Sequence, residues 1–224
     1  MFLQGLSTGA TVVTTDNNEG VEVRLDFQYR PQNLFESTTA WVPGQDETLS
    51  LLVPMVTAAK NAGRPIRRML TDAATMAIIL ASADAATLYA KYGNSFAGVS
   101  FQPNAEQLNN AVKAEWGFVF EEIDRVSSYQ IDGVDTDVTP WEAGQIVGIN
   151  SERLGDLVWS DLAEMNAPVA GVTYGRFENF ILTSKFRLNR PSLLEVTSSQ
   201  SRAVPVISAI DQIFKYDTTA TATT

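Results

Sequence analysis

The chain has 224 residues, 45% of them apolar, and 16 Lys and Arg against 26 Asp and Glu give it a net charge of −10. That is ample apolar material for one medium domain or two small ones, and too acidic a balance for sequence-independent attachment to nucleic-acid phosphates. There is no His and no Cys, which removes disulfides, thiolate metal sites and His-assisted nucleophiles, and the longest apolar stretch, 76–80, is far shorter than the ~20 residues of a membrane helix.

In chain order, residues 10–14 and 21–27 are alternating β-branched runs around Asp16-Asn17-Asn18-Glu19-Gly20, and this turn chemistry predicts a hairpin. Val21, Val23, Leu25 and Phe27 would share its buried face. The apolar start stops at Leu6 without a basic region, so no secretory signal is expected. Residues 46–62 place Leu49, Leu52, Val53, Val56 and Ala59 at helical spacing, with Gly63 at the C-terminal end. Pro54 inside that pattern predicts a start near Val53 or a kink, since an interior proline costs about 3 kcal/mol. Residues 65–70 read as a strand. Thr71 is the expected cap of a helix over 72–82 that continues through 85–91, and Asn104 is the expected cap of a helix over 104–116.

From Gly117 the apolar period changes to two. Phe118 and Phe120 open one strand, 126–131 a second and 145–149 a third, and these three are expected to carry the sheet. Residues 162–175 read as irregular, 178–188 as a long strand and 213–216 as the last one. The Thr/Ala tail, 218–224, is expected to be disordered. The order hairpin, helices mixed with strands, then mostly strands argues an α+β fold with a central mixed or antiparallel sheet.

No catalytic constellation emerges. Asp132, Asp135 and Asp137 are the densest carboxylate group but lack the EF-hand pattern, and a hairpin turn with solvated carboxylates accounts for them. Glu121 and Glu122 point to opposite faces of a strand, so they are not an acid–base pair. No Ser-x-x-Lys, GxGxxG or Walker loop is present, and Trp41, Trp116, Trp141 and Trp159 are spread as packing residues are. Charge is unevenly placed: residues 115–164 hold twelve acids and two bases, Arg125 and Arg153, whereas Arg176, Lys185, Arg187 and Arg190 face one acid, Glu178, over 176–190. Opposite patches can steer a protein onto copies of itself, which makes Arg176, Lys185, Arg187, Arg190 and Arg202, with Asp132, Asp135 and Asp137, the candidate inter-subunit contacts.

Near the C-terminus a Ser-rich stretch, 198–201, leads to Arg202, Pro205-Val206, Asp211 and Ile213 in that order. Residues 9–27 read as Gly, strand, Asn-x-x-Gly, strand, Asp-Phe. Pro65 to Ala74, PIRRMLTDAA, is a strand running into a helix, and residues 108–120 are a helix, Gly and strand. Asp132-Gly133, Thr139-Pro140, Ile146-Val147 and Leu154-Gly155 follow. Taken together, residues 1–216 resemble the phage major capsid protein E family, the lambda-like shell proteins.

The resemblance implies the Hong Kong 97-type capsid fold. Residues 47–172 would form the axial domain, a central mixed sheet with flanking helices, and residues 1–46 and 173–217 would form part of the peripheral domain, an elongated β lobe. The family's N-terminal arm, extended loop and most of its long helix have no counterpart, with Met1-Phe2-Leu3-Gln4 as the stub of that helix, so a truncated or shortened relative or a prophage remnant is expected. The implied function is structural: a major capsid protein of a tailed phage or prophage, made in the host cytoplasm and assembling into a shell around double-stranded DNA. Its partners would be further copies of itself, with scaffold, decoration or portal proteins. No catalysis, cofactor, membrane or sequence-specific nucleic acid is expected. Two other readings stay open from the residues: a head–tail adaptor or decoration protein, and a carboxylate- or metal-dependent enzyme.

Overall fold

A computed structural model describes residues 2–13, 23–92, 102–131, 134–188 and 193–219. The chain divides into two compact units, one of Met1–Leu154 with Ile207–Thr224 and the other of Gly155–Val206. Along the first unit run α1 (Phe2–Thr8), β1 (Ala10–Val13), β2 (Val23–Asp26), β3 (Leu34–Glu36), α2 (Leu49–Asn61), β4 (Arg68–Thr71), α3 (Ala73–Ala81), α4 (Ala83–Tyr92), α5 (Ala105–Trp116), β5 (Val119–Glu122), β6 (Ser127–Ile131), β7 (Val134–Val138) and β8 (Gln145–Ile149). The second unit holds β9 (Gly155–Trp159), α6 (Ala163–Asn166), β10 (Thr173–Phe177), β11 (Ile181–Leu188), β12 (Leu194–Ser201) and β13 (Ala203–Ile207), and β14 (Ile213–Asp217) returns to the first.

The expected α+β architecture with a central mixed sheet is present. Five strands stand in the order β3-β14-β8-β4-β5, parallel at each end and antiparallel in the middle. Both faces are covered. Met69, Phe120, Ile146, Phe214 and Tyr216 pack with Leu52, Met55, Ile79, Leu108 and Val112 of the helices. The alternate residues Leu70, Val147, Ile149 and Ile213 pack with Leu6, Phe27 and Trp141. Every residue of β8 is buried, as a strand covered on both faces must be. Gly148 stands at its fourth position because a Cβ there would lie 2.7 Å from Cδ1 of Ile66. On the second face β1 and β2 pair antiparallel, Ala10 opposite Asp26, as the sequence pattern predicts. The turn predicted at 16–20 lies outside the described residues.

Several local expectations are corrected. Helix α2 begins at Leu49 and carries Pro54 inside it. Its first amides are satisfied from outside: the Asp84 carboxylate accepts Thr48 N–H at 2.8 Å and Ser50 N–H at 3.0 Å. Burial of Leu49, Leu52, Met55, Val56 and Ala59, at about 1.5–3 kcal/mol for each larger side chain, outweighs the proline penalty. The cap of α3 is Asp72, accepting from Thr75 N–H at 3.0 Å, because Thr71 is still in the sheet and its carbonyl accepts from Ile123 N–H. At Ser82 the chain bends by 68° into α4. Asn104 caps α5 as expected, in a reciprocal box with Gln107. Among the described residues no single helix is long and apolar enough to cross a membrane.

The strand over 126–131 does not join the central sheet but pairs with β7 alone. The edge it would have used is occupied. Asn109 of α5 accepts from Phe120 N–H at 2.7 Å and donates to Phe120 C=O at 3.0 Å, which takes both outward backbone groups of that residue. Strand β2 does not pair with β11, since β2 pairs with β1 while β11 lies between β10 and β12; the two chain ends meet instead through β3 and β14, which pair parallel. Strands β3 and β14 lie in the central sheet. Thr218, expected in the disordered tail, is buried, with its N–H and hydroxyl donating to Gly144 C=O at 2.9 and 2.8 Å. In the second unit, the stretch expected to be irregular contains α6 and the start of β10, and β9, β12 and β13 are additional strands. A three-residue turn, 178–180, precedes β11.

Candidate interaction surface

The second unit is built around the antiparallel sheet β10-β11-β12. Its two long strands face each other over eight residues, from Ile181 opposite Ser201 to Leu188 opposite Leu194, a ladder about 26 Å long. Alternation sorts the side chains onto two faces. One carries Thr183, Lys185 and Arg187 opposite Ser199, Thr197 and Glu195; the other carries Phe186 and Leu188 opposite Val196 and Leu194. Among the described residues of this unit, only Leu162 and Leu182 are buried apolar side chains. At the end of the ladder Leu188, Leu194 and Leu193 are 44%, 52% and 78% exposed. This sheet has little apolar core of its own and leaves these leucines exposed at one end of its ladder.

On the polar face Glu195 accepts from Lys185 at 2.7 Å and Arg187 at 3.1 Å. The Lys185 hydrogen bond, then that of Arg187, holds its carboxyl below the usual range for glutamate. Arg176 bonds Asp161 at 2.9 Å, donates to Asn179 C=O and sits over the Trp159 ring. The basic run is therefore partly neutralised within its own unit by Asp161 and Glu195, acids that a linear count over 176–190 misses. Five acids and five bases fall in Gly155–Val206, leaving it neutral and the whole −10 on the first unit.

The remaining candidates do not converge. Arg202 is exposed, and its carbonyl accepts from Ser160 N–H at 3.1 Å. Asp135 and Asp137 are exposed on β7, and the Asp137 carboxylate accepts from the Ser128 hydroxyl across the β6–β7 ladder. Asp132 and Arg190 lie outside the described residues. Among the described residues no three acidic groups come together in a way that could hold a metal ion.

A second surface was not foreseen. Beside the edge strand β5 lies an open groove of about 530 Å³, lined by Leu3, Leu6, Leu70 and Ile123 and rimmed by Glu122, Asp124 and Glu152. Glu121 is tied to Arg68. Among the described residues no ion pair or hydrogen bond engages the side chains of Glu122, Asp124 and Glu152. The sequence signal was the acid run 121–124 following a strand, legible as a strand edge but not as the rim of an apolar groove, because Leu3 and Leu6 come from the far end of the chain.

The architecture is α+β, with a five-stranded mixed sheet in one unit and a three-stranded antiparallel sheet in the other. No family model matches the chain, and no curated protein does. Among solved structures, the crystal structure of an E. coli CFT073 prophage protein assigned as a capsid protein shares the fold with a TM-score of 0.60. It is 15% identical, and the match covers 96% of this chain and 60% of that one. A phage-related protein of Bordetella bronchiseptica RB50 matches at 0.46 and 11% identity over 85% of this chain and 57% of that one, and this second likeness adds nothing to the assignment. The chain thus spans 60% of the length of the prophage protein whose fold it shares.

Proposed function

We propose that this chain is a shell-building structural protein of a tailed phage or prophage, a major capsid protein of the lambda-like protein E family with the Hong Kong 97-type fold. The observation that supports the reading is the fold shared with the prophage protein over 96% of the chain; the ordered series of short motifs along residues 1–216 supports it independently. In this reading residues 47–172 form the axial part, and residues 1–46 and 173–217 form what is present of the peripheral part. The β10-β11-β12 sheet belongs to the peripheral part. Copies associate through unlike surfaces, the acidic first unit of one against the neutral, cation-bearing sheet of another, and heterologous contacts of this kind close into rings. The virion is its place, and other copies of the chain, with scaffold, decoration or portal proteins, are its partners. Arg176, Lys185, Arg187, Arg190 and Arg202 on one side and Asp132, Asp135 and Asp137 on the other remain the proposed contact residues. An acidic wall suits a container for DNA, because it does not bind phosphates.

The test is a concentration series in light scattering followed by electron microscopy of the largest species. Five- and six-membered rings or curved sheets of rings are expected. A chain that stays monomeric, or that stops at one ring of fixed number as an adaptor would, overturns the reading.

A further inference from the structure

We propose that the open edge of β5 takes an extended, Lys- or Arg-bearing segment of a different protein as an added strand, with the apolar side chains of that segment on the groove floor. This goes beyond the shell-building reading and does not depend on it.

The edge is half closed and half open. Val119 N–H donates to Arg67 C=O at 3.1 Å and Ile123 N–H to Thr71 C=O at 2.8 Å. In this parallel ladder residues 119, 121 and 123 therefore bond inward, and Phe120 and Glu122 turn their N–H and C=O away from the sheet. Asn109 takes both groups of Phe120. Those of Glu122 have no partner among the described residues, and a free pair of this kind is what an incoming strand bonds. The register also puts Ile123 on the same face as Leu70, where both belong to one cluster with Leu3 and Leu6 of α1. An extended segment beside β5 would lay every second side chain on this apolar floor, in a groove of about 530 Å³, and send the others to the face of Glu122. Charge selects the segment. Glu122, Asp124 and Glu152 stand on the rim against a lone Arg125, with Arg68 and Glu121 paired to each other, so Lys or Arg at the alternate positions is favoured over Asp or Glu. All of these residues lie in the first unit. The described strands of the chain offer no such segment: Arg24, Arg176, Lys185 and Arg187 are bonded to Asp26, Asp161 and Glu195, and Lys215 lies in β14, which has a strand on each side.

The probe is the synthetic peptide Lys-Leu-Lys-Val-Lys-Leu-Lys, blocked at both ends and titrated into the isotope-labelled chain at a concentration where the chain alone is monomeric by light scattering. Saturable binding by fluorescence anisotropy is expected, with NMR showing slowed amide exchange at Glu122 and shifts at Ile123 and Leu3. Binding should weaken by about tenfold or more for a peptide with Glu in place of every Lys, and for one of the same composition with its apolar residues in one block. The double variant Glu122→Lys/Asp124→Lys, with circular dichroism confirming its fold, should lose the Lys peptide to the same extent and prefer the Glu peptide. Equal binding of the alternating and block peptides, protection elsewhere than 121–125, or no saturable binding overturns the added strand and leaves the shell-building reading as it is. If the same amides become protected when the chain alone is concentrated, and the peptide does not compete, a second copy is the occupant and the proposed partner is wrong.

Discussion

Gly148→Ala tests the packing of the central sheet at its tightest point. The residue is the fourth of the fully buried strand β8, and its missing side chain is the space that Ile66 fills. A Cβ there would lie 2.7 Å from Cδ1, 3.1 Å from Cγ1 and 3.2 Å from Cγ2 of Ile66. Ile66 is itself only 3% exposed, so it cannot swing into solvent. Overpacking of a buried site costs about 1–3 kcal/mol, and replacing a strand glycine recovers about 0.5–1 kcal/mol of backbone entropy. The expected net loss is about 1–2 kcal/mol, or about 2–8 °C in Tm for a chain of this size, read by urea and thermal unfolding. Ile66→Val removes Cδ1, the nearest atom, and alone costs about 0.5–1.5 kcal/mol. In the double variant the two losses should be non-additive, with about 1 kcal/mol recovered. Additivity within about 0.5 kcal/mol would refute the claim that Gly148 is required by the approach of Ile66.

Two further outcomes are expected. Asp84→Ala removes the acceptor of Thr48 N–H, Ser50 N–H and the Ser82 hydroxyl and should cost about 2 kcal/mol by chemical unfolding; a smaller loss than that of an ordinary exposed substitution would mean that Asp84 does not hold the start of α2. The Glu195 carboxyl is held below its usual range first by Lys185 and then by Arg187, so the unfolded chain binds that proton more readily than the folded one. Its contribution is present above the ordinary glutamate range and is lost as pH falls through the lowered folded value. NMR titration of the β11–β12 hairpin should show this acid loosening, and Glu195→Gln should abolish it.

What one stretch of chain can encode about itself was legible in the sequence. The β1–β2 hairpin, the Asn104 cap, the glycine end of α2 and the alternation that opens β5 each depend on residues a few positions apart. The reading went wrong where a distant group decided. Pro54 marks a helix boundary by local rules, but packing of Leu52, Met55 and Val56 against the rest of the core carries α2 through it. The strand over 126–131 looked like a sheet member until Asn109 took the backbone groups of Phe120. Thr218 looked like tail until Gly144 accepted its hydrogen bonds.

The same division applies to the candidate surfaces. Composition determined an acidic chain without His or Cys, the order of apolar periodicities argued an α+β fold, and the order of its motifs pointed to a shell protein. Only the tertiary structure decided which acids neutralise the basic run: strand pairing sets Glu195 beside Lys185 and Arg187, and the loop after β9 brings Asp161 to Arg176. Only the fold could place Leu3 and Leu6 against Leu70 and Ile123 under an acidic rim, or leave Leu188 and Leu194 facing water across a ladder. Sequence sets the polarity of each residue; pairing across the sheet determines which polarities meet.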